Sequence, residues 1–258
     1  MVESFYSLPG PARLRIALVS DLHERPFERV LASVRARKPD LICIPGDFIH
    51  GSPRPVGKAL CDTTVPAFFR ACAALAPTFV SLGNHEWTFS EEDLAPIPET
   101  GAVLLDNGWV RHGPLLIGGQ SSAFVTAYRR HREEAQRSGG QDTIYRIARG
   151  AKPELGWLED YCAQEGWRLL LCHHPEYWPR YLRALPIPLT LSGHAHGGQI
   201  RLFDQGLYAP GQGFFPKYTG GVYEERLLVS RGLSNNALIP RLFNPRELVY
   251  LDLEEVSP

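Results

Sequence analysis

The chain has 258 residues, 27 basic and 28 acidic side chains and a formal net charge of −1, with 44% hydrophobic and 21% charged residues. A chain of this length buries a substantial core without staples, and its balanced charge gives no general attraction to nucleic acid or anionic membranes. The five cysteines (Cys43, Cys61, Cys72, Cys162, Cys172) are odd in number and form no CxxC pair, so they read as small core residues of a reducing compartment.

No apolar run approaches the roughly 18 residues that span a bilayer. The opening MVESFYSLPGPAR has no basic segment followed by an apolar one, so the expected location is cytoplasmic, with peripheral membrane contact left open. LRIALVS (14–20) is a short apolar run with β-branched content and predicts a buried strand stopping at Asp21. Helical spacing over 25–37 predicts a helix, LICIP (41–45) a second strand, 58–75 a second helix and TFVSL (78–82) a third strand. This alternation implies parallel pairing with right-handed crossovers. Short strands are expected around 102–105, 109–111 and 114–118, then a polar segment over 121–150 and a helix near 153–164. Further strands are expected at 167–172, 187–191, 198–203, 225–230 and 247–252. Their close spacing implies a mixed or antiparallel second sheet. The Gly- and Pro-rich stretch 205–220 reads as an ordered loop. No boundary divides the chain, which is expected to form one domain over 1–258.

The polar residues fall in a regular place. Asp21 and His23, Asp47, and Asn84 and His85 each follow one of the first three strands, and in an open α/β sheet those strand ends share the ligand-binding edge. His173 in LLLCHHPE and the block Gly193-His194-Ala195-His196 add imidazoles from the second half. Each block alone is a weak signal, because a DxH or a GD is common as a polar strand cap. Together and in this order they point to a metal. Carboxylates, imidazoles and an amide oxygen suit Mn²⁺, Fe or Zn²⁺, and the missing thiolate argues against a structural zinc site. Asp21 and His23, like His194 and His196, are separated by one residue, which in extended chain aims both the same way. Seven donors exceed one tetrahedral ion but serve two ions sharing a carboxylate. Two ions about 3.5–4 Å apart can clamp a phosphoryl group and activate a bridging hydroxide as nucleophile.

In their order, DxH, GD, GNHE, H and GHxH, these blocks resemble the calcineurin-like metallophosphoesterase superfamily, with a match running from Asp21 to His196. The resemblance implies a four-layer αββα sandwich of two mixed sheets with helices on the outer faces. It places Asp21, His23, Asp47 and His196 on a first metal and Asp47, Asn84, His173 and His194 on a second, with Asp47 bridging. His85 would be the unligated histidine that protonates the leaving oxygen. Of the pair His173-His174, the H-x-P spacing favours His173 as the ligand. The usual GDxxD is here GDFIH, with His50 at its end. The blocks GHAHGGQI, PKYTGG, VSRGLS and RLFNPREL further resemble phosphohydrolases related to UDP-2,3-diacylglucosamine hydrolases.

The implied reaction is hydrolysis of a phosphomonoester, phosphodiester or pyrophosphate bond, with manganese ahead of iron or zinc. The expected substrate is a small phosphate ester or a nucleotide- or lipid-linked diphosphate. A nuclease of the same superfamily is the catalytic alternative, disfavoured by the net charge, so nucleic acid is not an expected partner. A noncatalytic scaffold is the other alternative, and such proteins tend to lose ligands that are all present here. The segment 121–150 carries Phe124, Tyr128, Arg129, Arg130, Arg132, Arg137, Tyr145, Arg146 and Arg149 against few acids. It reads either as a solvated helix pair or as a cap whose arginines grip a second phosphate.

Overall fold

The computed structural model describes residues 1–50, 60–131, 150–235 and 239–255. Its strands are β1 (Val2–Gly10), β2 (Leu14–Leu18), β3 (Leu41–Ile44), β4 (Thr78–Val80), β5 (Ala102–Leu104), β6 (Gly108–His112), β7 (Leu115–Gln120), β8 (Trp167–Cys172) and β9 (Leu189–Ser192). Four two-residue strands follow, β10 (Arg201–Leu202), β11 (Gln205–Gly206), β12 (Tyr208–Ala209) and β13 (Gly213–Phe214). Then come β14 (Gly221–Tyr223), β15 (Leu227–Val229) and β16 (Glu247–Glu255). The described α-helices are α1 (Glu28–Arg37), α2 (Val65–Ala73), α3 (Glu91–Leu94), α4 (Ala123–Arg130) and α5 (Trp157–Ala163).

Two six-stranded sheets carry the fold, in the orders β1-β16-β2-β3-β4-β5 and β14-β15-β9-β8-β7-β6. Both are mixed. In the first, β2 to β5 run parallel while β16 is antiparallel to β2. In the second, β15, β9, β8 and β7 run parallel between two antiparallel edge strands. Alternate residues of a strand face opposite sides, and this splits each strand between two cores. Ile16 and Leu18 of β2, Leu251 of β16 and Leu169 and Leu171 of β8 lie in one apolar cluster shared by the two sheets. Ala17 and Ile42 pack with Val30 and Val34 of α1 and with Phe68, Phe69 and Cys72 of α2. Leu170 and Cys172 pack with Leu158 and Tyr161 of α5 on the far side. Three cores between four layers make the expected αββα sandwich.

The differences from the expected elements have local causes. The helix expected over 25–37 begins at Glu28, after Pro26 and Phe27. That over 58–75 shortens to Val65–Ala73, with Pro66 in its first turn, and residues 51–59 lie outside the described residues. The strand expected over 198–203 opens instead as a 3₁₀ turn over His196–Gly198, because Gly197 and Gly198 take φ of 66° and 78°. β1 went unforeseen. Its residues pair in parallel with the whole of β16, a contact between the two ends of the sequence. Its outer position leaves it too exposed to show an apolar run.

The inter-sheet cluster carries a stability prediction. Leu171→Ala removes a fully buried side chain there and should destabilise the protein by about 2–5 kcal/mol in urea unfolding. Phe5→Ala, at a half-exposed ring on the outer strand, should cost far less. Equal losses would contradict this layering.

Candidate metal centre

Parallel strands bring their C-terminal ends to one edge, and there the chain changes conformation. Asp21, His23, Asp47, His194 and His196 all have left-handed backbones, with φ between 45° and 65°. Such angles strain residues with a Cβ and concentrate at functional sites. Glycines make room for them. A Cβ on Gly83 would lie 2.2 Å from Asp47 Oδ1, and one on Gly193 would lie 1.8 Å from Ser20 Oγ and 2.5 Å from Asp21 Oδ2. Backbone bonds then cross between the sheets. Ser122 N–H donates to Leu82 O at 3.0 Å, and Leu233 N–H donates to Ser20 O at 3.0 Å.

The geometry brings the seven expected donors and His85 to this edge. Asp47 Oδ2 lies 3.0 Å from His173 Nε2 and 3.8 Å from both His23 Nε2 and His85 Nε2. Asp21 Oδ1 lies 3.4 Å from His196 Nε2 and 3.9 Å from His173 Nε2. Four groupings result among the described residues: Asp21–His23–His196, His23–Asp47–His85 and Asp47–His173–His194, with His174–Glu176–His194 beside them. Neighbouring ligands of an ion bound at about 2.1 Å stand roughly 3.0–3.5 Å apart, and these spacings approach that range. Three of the side chains also have buried atoms without hydrogen-bond partners, namely His23 Nε2, Asn84 Oδ1 and His173 Nδ1. Orphaned buried polar atoms are rare. The same atoms as donors to cations need no protein partner, and the set fits a dinuclear metal site.

Protonation follows from burial and charge. Burial pushes the Asp47 carboxyl up, but the imidazoles of His173 and His85 outweigh it and hold Asp47 well below the usual carboxylate range. Burial opposes the charged form of His173, yet facing Asp47 it is raised to about 9. Burial, with His174 beside it, lowers His194 to about 3, and burial also lowers His23 and His196. The His23 Nδ1 contact with Ile49 O at 2.9 Å and the His196 Nδ1 contact with Ser234 O at 3.2 Å engage those nitrogens and leave Nε2 to the site.

Glu86, Glu176 and Asn244 support the site although their place in the sequence assigns them no role. Glu86 is fully buried and accepts from Asp47 N–H at 2.9 Å, Gly83 N–H at 2.7 Å and Ile49 N–H at 3.2 Å. It thereby clamps the loops after β3 and β4 together. Burial and the charge on Asp47 push its carboxyl up to about 8, against three N–H donors that favour the anion. His174 turns away from Asp47, with Nε2 2.7 Å from Ser122 Oγ and Nδ1 3.0 Å from Glu176 Oε1. Burial would raise the Glu176 carboxyl, but His174 and His194 lower it to about 2. Asn244 donates to His196 O at 2.7 Å and to Gln199 O at 3.0 Å, fixing the last loop. The GNHE, HHPE and FNPRE strings held these residues, but nothing in their spacing announced contacts across loops.

A family model described as calcineurin-like phosphoesterase matches residues 14–198. The chain belongs to the calcineurin-like phosphoesterase family. The matched span contains every donor just described, and membership supports metal-dependent phosphoester hydrolysis. Among relatives, the uncharacterized protein YpbG of Bacillus subtilis is 26% identical over 240 residues, covering 91% of this chain and 79% of that one. The phosphodiesterase YaeI of Escherichia coli is 27% identical over 203 residues, covering 74% of this phosphoesterase and 63% of YaeI. An uncharacterized metallophosphoesterase of Campylobacter jejuni is 26% identical, covering 93% of this chain, which spans only 57% of that relative's length. A dimetal phosphatase from Danio rerio shares the fold at a TM-score of 0.51 and 14% identity, covering 86% and 88% of the two chains.

Glu86→Gln tests the clamp. Both Glu86 oxygens accept backbone N–H groups, so an amide must turn its NH2 toward at least one of them, and unfolding in urea should show a loss of about 1–3 kcal/mol. An unchanged midpoint would remove Glu86 from the support of the site.

Proposed function

We propose that this phosphoesterase works with two divalent cations, manganese first with iron or zinc as alternatives. Asp21, His23, Asp47 and His196 hold one, and Asp47, Asn84, His173 and His194 hold the other. The observation that carries the reading is the position of Asp47, whose Oδ2 faces His23 of one donor group and His173 of the other at 3.8 and 3.0 Å. When bound, the pair supplies positive charge that polarises a phosphoryl oxygen and makes water a competent nucleophile near neutral pH.

The chain's own residues do the rest. Asp47 Oδ1 accepts the backbone N–H of His85 at 3.0 Å, tying the start of the 3₁₀ turn over His85–Thr88 to the shared carboxylate. His85 keeps part of its ring open to solvent while His173 and His23 are enclosed. That exposure supports His85 as the group that meets substrate and gives a proton to the leaving oxygen. The substrate we propose is a small phosphate ester or a nucleotide- or lipid-linked diphosphate, split at a phosphomonoester, phosphodiester or pyrophosphate bond.

This reading treats residues 1–258 as one domain with 121–150 as a cap beside the site. Ser122, bonded to His174, supports the placement of its first residues. Arg129 pairs with Asp106 through Nη1 and Arg130 with Glu154 through Nη2, at 2.7 Å each. The remaining arginines, from Arg132 to Arg149, lie outside the described residues.

Asp47→Asn should lower bound metal at both positions and reduce turnover more than His194→Ala does. Elemental analysis finding two full equivalents of metal in that variant would contradict a bridging carboxylate. His85→Ala should keep its metal and lose about 10²–10⁴-fold in turnover. The loss should be smaller for nitrophenyl than for alkyl esters, because a good leaving group needs no proton. Equal losses on both would remove His85 as the acid.

A further inference from the structure

Large apolar side chains gather at the metal-site edge. Leu202, Phe203, Phe214, Phe215, Leu242 and Phe243 are all exposed, Phe203 completely so. They belong to two segments that the backbone ties together. Ile200 and Leu242 form a β-bridge, Arg201 N–H donates to Leu242 O at 3.0 Å, and Phe215 N–H donates to Leu207 O at 2.9 Å. The first segment continues directly from the His196 turn, and the second is fastened to that turn by Asn244. Single exposed apolar residues need no explanation, but a contiguous group does.

Three of these residues stand in strained backbone. Phe203, Phe215 and Phe243 have φ of 55°, 51° and 54°, a region that bulky residues avoid and that glycine or asparagine occupies readily. None of the three rings is buried in return. Folding therefore gives no reason for phenylalanine at these turns. The charges in the same segments are mostly positive. Lys217 and Arg246 are exposed and Arg241 is half-buried, while Asp204 is the single acid within 199–219 and 239–246.

We propose that this rim docks on an anionic lipid bilayer and seats the metal edge against the headgroups. Rings carried on separate turns can enter the acyl boundary while neighbouring cations stay at the level of the phosphates. The substrate is then a phosphoester borne by a lipid. That last step rests on the phosphoesterase reading above, whereas docking rests on the rim alone.

The test uses the full chain and Phe203→Asn, Phe215→Asn and Phe243→Asn combined, a substitution that suits the left-handed backbone. Vesicles of equal parts phosphatidylcholine and phosphatidylglycerol are compared with phosphatidylcholine alone by co-sedimentation. The unmodified protein should sediment with the mixed vesicles and less with the neutral ones. The variant should lose roughly 100-fold in partitioning, with an unchanged or higher melting temperature and unchanged hydrolysis of a soluble aryl phosphodiester. No sedimentation of the unmodified protein with mixed vesicles, or equal sedimentation of the variant, would overturn the docking. A concentration-dependent dimer that the variant abolishes, without vesicle binding, would overturn it in favour of self-association. Vesicle binding by a protein that hydrolyses no phosphoester would leave the docking standing and overturn the lipid-borne substrate.

Discussion

Two carboxylates, Asp21 and Asp47, lie in the interior with no exposure to water, facing the imidazoles of His23, His173 and His196. Placing charge there is costly unless it is compensated, and the surrounding structure is arranged to compensate it. The loops that carry the carboxylates take left-handed backbones. Glycines at 83, 193 and 232 leave room where any Cβ would strike Asp21, Asp47 or Ser20. Glu86 ties two of the loops together through three backbone N–H groups. Strain and buried charge at one place are tolerable because two sheets and three apolar cores hold the edge in position.

The same constraint explains why the chemistry can be shared between distant parts of the chain. β2, β3 and β4 deliver Asp21, Asp47 and Asn84 from the first sheet, while β8 and β9 deliver His173 and His194 from the second. Neither sheet holds a complete donor set. The site exists only where the sheets face each other, so packing of the inter-sheet core and assembly of the proposed metal centre are coupled. Among the described residues no helix is long and apolar enough to cross a membrane. The proposed bilayer contact is made by the turns that carry Phe203, Phe215 and Phe243.

The inner strands and the site were legible in the sequence for one physical reason. Strands buried on both faces are continuous apolar runs, and a polar residue at their end stands out against them, as Asp21 does after LRIALVS and His173 after LLLC. What stayed hidden depended on contacts between distant segments. β1 is exposed along much of one side and is a strand only because β16 pairs with it. Glu176 and Asn244 sit in short polar strings whose partners, His174, His196 and Gln199, are set by loop geometry. The strand expected over 198–203 is shortened to Arg201–Leu202 because two consecutive glycines take left-handed angles in the 3₁₀ turn at His196.

The central claim is that Asp47 joins two cations into one centre. Low-temperature electron paramagnetic resonance of the protein loaded with Mn²⁺ tests it most directly, because a carboxylate shared by two ions couples their spins. The account predicts an exchange-coupled signal at two equivalents of Mn²⁺, which Asp47→Asn abolishes. A spectrum of isolated Mn²⁺ at full loading, unchanged by that substitution, would contradict it.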